Sequence, residues 1–121
     1  MILGLRTAIY PVSDLAAAKA WYAKLLNVEP YFDQPFYVGF FVGGFDLGLL
    51  PGGEPGKTGV FAYWGVADAE AEFARLIALG ATPHEAVHDV GADIKVGTVV
   101  DPFGNLFSII QNPHFSPDAV R

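Results

Sequence analysis

The chain has 121 residues, of which 52% are hydrophobic and 14% aromatic, with 7 basic and 13 acidic residues and a net charge of −6 at pH 7. That length suits one domain with a real core, and so apolar a chain is not intrinsically disordered. The absence of cysteine excludes disulfides, zinc ribbons and thiol catalysis, and the acidic balance argues against a nucleic-acid or anionic-membrane surface. No apolar run reaches the roughly 18 residues of a membrane span, and Met1 to Pro11 lacks the pattern of a signal peptide. The expected setting is the cytoplasm.

Leu5 to Val12 is a strand candidate bounded by Pro11 and by Ser13-Asp14, which offer a helix N-cap. Leu15, Ala18, Tyr22, Leu25 and Leu26 fall three or four apart and form one helical stripe. Strand candidates follow at Glu29 to Phe32, Phe36 to Val42 and Phe45 to Leu50. Pro51 to Thr58, rich in Gly and Pro, reads as a linker. Val60 to Val66 is a β-branched and aromatic strand candidate. Asp68 then caps a second helix with its stripe at Ala69, Phe73, Leu76, Ile77 and Leu79, acidic residues in its first turn, and Gly80 as its stop. Further strands are expected at His84 to Val87, Ile94 to Val100 and Leu106 to Gln111, with a turn at Asp101-Pro-Phe-Gly-Asn105.

This order is written twice. Val12-Ser-Asp14 recurs as Val66-Ala-Asp68, 54 residues later, and each copy opens an alanine-rich helix. Each half is β-α-β-β-β. The expectation is an α+β fold of two βαβββ modules, about 3–50 and 59–112, joined by the linker 51–58 and followed by a tail at 113–121. Together they make one domain with eight mostly antiparallel strands in a pair of curved sheets, helices outside.

Three motifs in this order resemble the vicinal oxygen chelate superfamily of glyoxalases, bleomycin-resistance proteins and extradiol dioxygenases. They are Pro11-Val-Ser-Asp14 before Trp21-Tyr22, then Val66-Ala-Asp68, then Asp101-Pro-Phe-Gly-Asn105-Leu-Phe. The resemblance covers about residues 3 to 112. It implies a divalent metal on the concave face of the sheets, held by His, Gln or Glu from four strands, with open positions for a substrate's paired oxygens. Carried over one at a time, those positions fall on Thr7, seven residues before Asp14; on Phe61, its equivalent in the second half; on Ser108, after the Asp-Pro-Phe-Gly-Asn turn; and near Gly48, within Asp46 to Leu50. None supplies a strong ligand, and Asp46 is the lone oxygen donor nearby. The usual metal site therefore reads as erased, and no cofactor is expected.

Aromatic residues offer another use of that face. Thr7 shares a strand face with Leu5 and Ile9, and Phe61 with Tyr63 and Gly65. Tyr37, Phe41, Phe45, Phe61, Tyr63 and Trp64 are candidates to line it, against the alternative that they only fill the core. With hydroxyls from Thr7, Tyr63 and Ser108 they would form an apolar pocket for a flat organic ligand. Lys95 is the lone basic residue on its strand, a pocket cation or a solvated edge lysine.

Two other motifs compete. His84-Glu-Ala-Val-His88 matches the H-E-x-x-H zinc signature, which requires a helix. On the strand expected here the two histidines lie about 13 Å apart, too far for one ion. Pro51-Gly-Gly-Glu-Pro-Gly-Lys57-Thr58 nearly matches a phosphate loop, but its first glycine is one place late and a strand follows instead of a helix.

The sequence thus points to a small-molecule-binding protein with a metal-free concave pocket. The candidates for its lining are Thr7, Tyr37, Phe41, Gly48, Phe61, Tyr63, Lys95 and Ser108. The alternative is a glyoxalase- or dioxygenase-like enzyme with a divalent metal, acting on a small oxygenated substrate. The resemblance further implies a homodimer, while the charge balance and the apolar-run lengths speak against a nucleic-acid or membrane partner.

Overall fold

The computed structural model describes residue 1, residues 6–56 and residues 62–114. They hold eight strands and two helices in the order β1 (Thr7–Val12), α1 (Leu15–Leu26), β2 (Phe32–Gln34), β3 (Tyr37–Val42), β4 (Phe45–Pro51), β5 (Tyr63–Gly65), α2 (Ala69–Ala78), β6 (Thr82–Asp89), β7 (Lys95–Val100) and β8 (Leu106–Gln111). These form two four-stranded sheets, ordered β1-β4-β3-β2 and β5-β8-β7-β6. In each, the first pair is parallel and the other two are antiparallel. The α+β class and the doubled β-α-β-β-β order are as expected from the sequence. Among the described residues no helix is long and apolar enough to cross a membrane.

The chain divides into two compact units. One comprises described residues within Leu5–Gly59 together with Pro102–Asn105; the other comprises Met1 and those within Val60–Asp101 and Leu106–Arg121.

In the first unit, Asp14 is extended at φ −125° and its carboxylate accepts the Ala17 N–H at 3.0 Å, which fixes where α1 begins. Asn27, left-handed at φ 56°, ends it. Ala18, Tyr22 and Leu25 are buried on one helix face. They meet the sheet through Tyr10, Val12, Val38, Phe40, Leu47 and Leu49, the alternate residues of three strands, and Tyr10 and Tyr22 make an edge-to-face ring contact at 6.0 Å. The second strand begins later than expected, at Phe32 rather than Glu29. Pro30 has no N–H to give a ladder, and the first such bond here is Tyr31 N–H to the Gly39 carbonyl.

The turn between β7 and β8 belongs to this unit by its contacts. Asn105, 5% exposed, donates from Nδ2 to the Pro11 carbonyl at 2.6 Å and accepts the Gly56 N–H at Oδ1 at 3.0 Å. Trp21 meets Phe103 edge-on at 6.2 Å. The phosphate-loop-like segment is therefore held by a side-chain amide, and one of its N–H groups is already spent. Lys57 and Thr58 lie outside the described residues.

In the second unit, Asp68 caps α2 by accepting from Ala71 N–H, and Gln111 of β8 accepts from Ala69 N–H at 2.9 Å. At the other end Gly80 N–H reaches the Ile77 carbonyl and Ala81 N–H the Leu76 carbonyl, with Gly80 at φ 106°. That is the paired closure a left-handed glycine permits. Leu76 and Ala69 pack against the sheet side that carries Val99, Phe107 and Ile109. Strand β6 is longer than expected, and its pairing with β7 is interrupted between Pro83 and Glu85 and between Glu85 and His88.

Candidate functional site

In the first sheet, the residues that alternate with the helix-side core form an open face. Ladder partners share a side of a sheet. Thr7, Asp46 and Phe41 therefore make one row, and Ile9, Gly48, Gly39 and Phe32 the next. Gln34 and Tyr37 are paired beside them. Phe41 is 58% exposed and Ile9 53%, unusual for large apolar residues in mid-sheet.

Two strand glycines give this face its shape. A Cβ at Gly39 would come 2.8 Å from the Tyr31 ring, and a Cβ at Gly48 would come 2.6 Å from Cζ of Tyr37 and overlap its hydroxyl. The rings thus lie directly on the backbone, which only glycine permits. Tyr31 also stacks on Phe41, with centroids 4.0 Å apart and planes 11° from parallel.

Asp46 lies amid these groups. Thr7 Oγ1 donates to its Oδ2 at 3.1 Å, while Oδ1 is buried and has no hydrogen bond of acceptable geometry. The pKa of Tyr31 is raised above its ordinary value of 10.0, first by desolvation of the hydroxyl and then by the Asp46 carboxylate, through hydrogen bonding and charge. Tyr37 is raised as well, by desolvation and then by Asp46. Both phenols are therefore neutral at ordinary pH.

The second sheet has its own open side. Tyr63, Ser108 and Thr98 are ladder partners across three strands. Thr98 Oγ1 and Ser108 Oγ form a buried hydrogen bond at 2.9 Å, which occupies both hydroxyls with each other. Tyr63 is 51% exposed.

Several expected lining residues are placed elsewhere. Lys95 alternates with Val96 and shares the side of Gly97, against which Phe73 of α2 packs, so it points to the helix side. Trp64 stacks on Phe107 at 5.4 Å, on that same side. Phe45 alternates with Asp46 and falls on the side of Leu47. In each case the reason is strand parity, which the sequence does not fix until the register is known. Phe61 lies outside the described residues. Thr7, Tyr37, Phe41 and Gly48 do come together, whereas Tyr63 and Ser108 belong to the other sheet. Tyr31 is the residue that sequence reasoning missed. The available signal was Gly39 and Gly48, since a glycine inside a strand marks a close approach.

Among the described residues, the donors at these positions do not fit a divalent metal. The Gly48 position has no side chain, and Tyr37 fills its space. Thr7 is engaged with Asp46 and Ser108 with Thr98. Among the described residues no three His, Cys, Asp or Glu side chains gather as a metal site. The His84-Glu85-His88 motif lies on β6, where His88 Nε2 sits 3.2 Å from Glu85 and Nδ1 donates to the Ala86 carbonyl at 2.8 Å.

A family model described as a glyoxalase-like domain matches residues 7–110. The fold is similar to a glyoxalase-related enzyme from Fulvimarina pelagi, at 20% identity over 93% of this chain and 90% of that one, with a TM-score of 0.73. It is similar to a glyoxalase/bleomycin resistance protein/dioxygenase family enzyme from Burkholderia phytofirmans PsJN, at 17% identity over 87% and 95%, TM-score 0.75. A lactoylglutathione lyase from Agrobacterium tumefaciens gives 20% identity over 96% and 100%, TM-score 0.74. No curated protein matches the chain.

Proposed function

The chain belongs to the glyoxalase-like domain family, and from that premise we propose that it binds a small, flat organic molecule on the open face of its first sheet without a metal. Family and fold do not fix the chemistry, so the reading rests on the site. The observation that carries it is the half-exposed Tyr31–Phe41 stack beside Asp46, on a floor opened by Gly39 and Gly48. Broad apolar surface with a few placed polar groups is what small-molecule recognition uses. The position at which the resemblance expects a metal ligand is instead taken up by the Tyr37 ring. In the same reading the protein pairs with a second copy, supported by Phe36, 64% exposed, and Phe32 at the edge of this sheet. Sedimentation at two concentrations tests the pairing.

Elemental analysis of untagged protein purified without chelators tests the metal-free reading. No stoichiometric Fe, Mn, Ni, Co or Zn is expected, including after incubation with each ion and desalting. One bound ion per chain overturns it. The binding surface is tested by NMR titration with planar aromatic fragments. Amide shifts are expected at Tyr31, Phe41 and Asp46 and should vanish in Phe41→Ala; shifts confined to the second unit overturn the assignment.

A further inference from the structure

One oxygen of the Asp46 carboxylate, Oδ1, is buried without a well-aligned hydrogen bond. Oδ2 accepts from Thr7, the Tyr31 hydroxyl approaches the carboxylate without meeting Oδ1 in good geometry, and the side chains arranged around it, Thr7, Tyr31 and Tyr37, are all neutral hydroxyls. A buried acceptor without a donor is costly, and an ionised one most of all, so a bound donor there gains more than it would at a satisfied site. Beside it stands Phe41, more than half exposed, with a ring already stacked on it.

We propose that this site selects planar cations bearing N–H groups, such as amidiniums or protonated amino-heterocycles. The N–H groups meet Asp46 Oδ1 and the flat face lies on Phe41. The inference deepens the proposed function and rests on it.

Tyr31 is the cover. It is 48% exposed, stacks on Phe41 and rests on Gly39, where no Cβ obstructs it. A half-exposed ring turns on its own bonds, so the cover opens without movement of the sheet. The ligand ring then takes the place on Phe41 that Tyr31 leaves. A cation over an aromatic face is favourable, and a carboxylate beside it adds a charge-assisted hydrogen bond. An anion would face Asp46 directly. The net charge of −6 works in the same direction at long range.

The test uses three near-isosteric probes, benzamidine, benzamide and benzoate, titrated against the whole chain at pH 7 by calorimetry and NMR. Benzamidine is expected to bind at least about tenfold more tightly than benzamide, as one charge-assisted bond implies, and benzoate not at all. In Asp46→Asn, an isosteric change, that gap should close through weaker benzamidine binding. In Tyr31→Ala benzamidine should bind at least as tightly as before. Equal binding of benzamidine and benzamide, or a gap that survives Asp46→Asn, overturns this inference and leaves the aromatic site standing. Failure of all three probes overturns both. Should Asp46→Asn not fold, as judged by circular dichroism, the wild-type gap decides, together with whether benzamidine shifts the Asp46 amide.

Discussion

Replacing Asn105 by alanine tests whether the most recognisable motif of the chain holds the fold or serves a ligand. Its side chain makes two bonds to backbone far away in sequence, to the Pro11 carbonyl at 2.6 Å and from the Gly56 N–H at 3.0 Å, and is 5% exposed. Each bond contributes about 1 kcal/mol net, and the poorly rehydrated Pro11 carbonyl left behind adds about as much again. The expected loss is about 2–3 kcal/mol, or a melting point lower by about 8–12 °C for a chain of this length. Asn105→Asp should give no rescue, because its second oxygen faces the Pro11 carbonyl where an amide N–H is needed. Thermal unfolding followed by circular dichroism measures both, and fragment binding to the first sheet should persist below the transition. A drop of less than about 2 °C would refute the clamp.

Gly48→Ala drives the Tyr37 ring off the sheet and should cost about 1–3 kcal/mol; in a Tyr37→Ala background the same change should cost less than about 0.5 kcal/mol, and additive losses in the double-mutant cycle would show that the ring does not occupy that space. Ser108→Ala strands the buried Thr98 hydroxyl and should lower stability by about 1–3 kcal/mol, whereas Ser108→Ala with Thr98→Val should recover most of it; denaturant titration would reveal a double variant no better than the single. Tyr31 and Tyr37 hold their protons more tightly in the fold than an unfolded tyrosine does. Above pH 10 the unfolded chain therefore binds fewer protons, so their contribution to stability is complete below pH 10 and is lost as pH rises through their higher folded values. Phenolate absorbance should show late-titrating components, one of which Tyr31→Phe removes; an unchanged curve would count against this.

The elements were legible because their signals are local. Asp14 and Asp68 each cap a helix as their position suggested, and Gly80 closes the second one. The doubled order followed from the Val12-Ser-Asp14 and Val66-Ala-Asp68 repeat. The site was less legible because it depends on register. Thr7 lies 39 residues from Asp46 in the chain, and with Phe41 they become one row only when β1, β4 and β3 pair. Lys95 and Trp64 looked available for a pocket because, without a register, either strand parity is open. Tyr31 lies just before β2, where its N–H still pairs with the Gly39 carbonyl while its ring folds back over Gly39.

Gly48 and Ser108 show why a motif can fix the fold while leaving the chemistry open. They hold the same place in their sheets, each on the strand between the parallel partner and the next antiparallel one, paired with Gly39 and Thr98 respectively. At Gly48 the absent side chain admits the Tyr37 ring from the neighbouring strand; at Ser108 a hydroxyl closes on its ladder partner. Neither solution disturbs the backbone bonds that define the sheet, so the strand pattern tolerates both. The motif residues lie elsewhere, Asp14 and Asp68 at helix starts and Asn105 in a turn, where their polar atoms are committed to backbone groups. What they specify is the scaffold. What the open face binds is decided by which side chains reach over the two strand glycines, and here those are Tyr31 and Tyr37 beside Asp46.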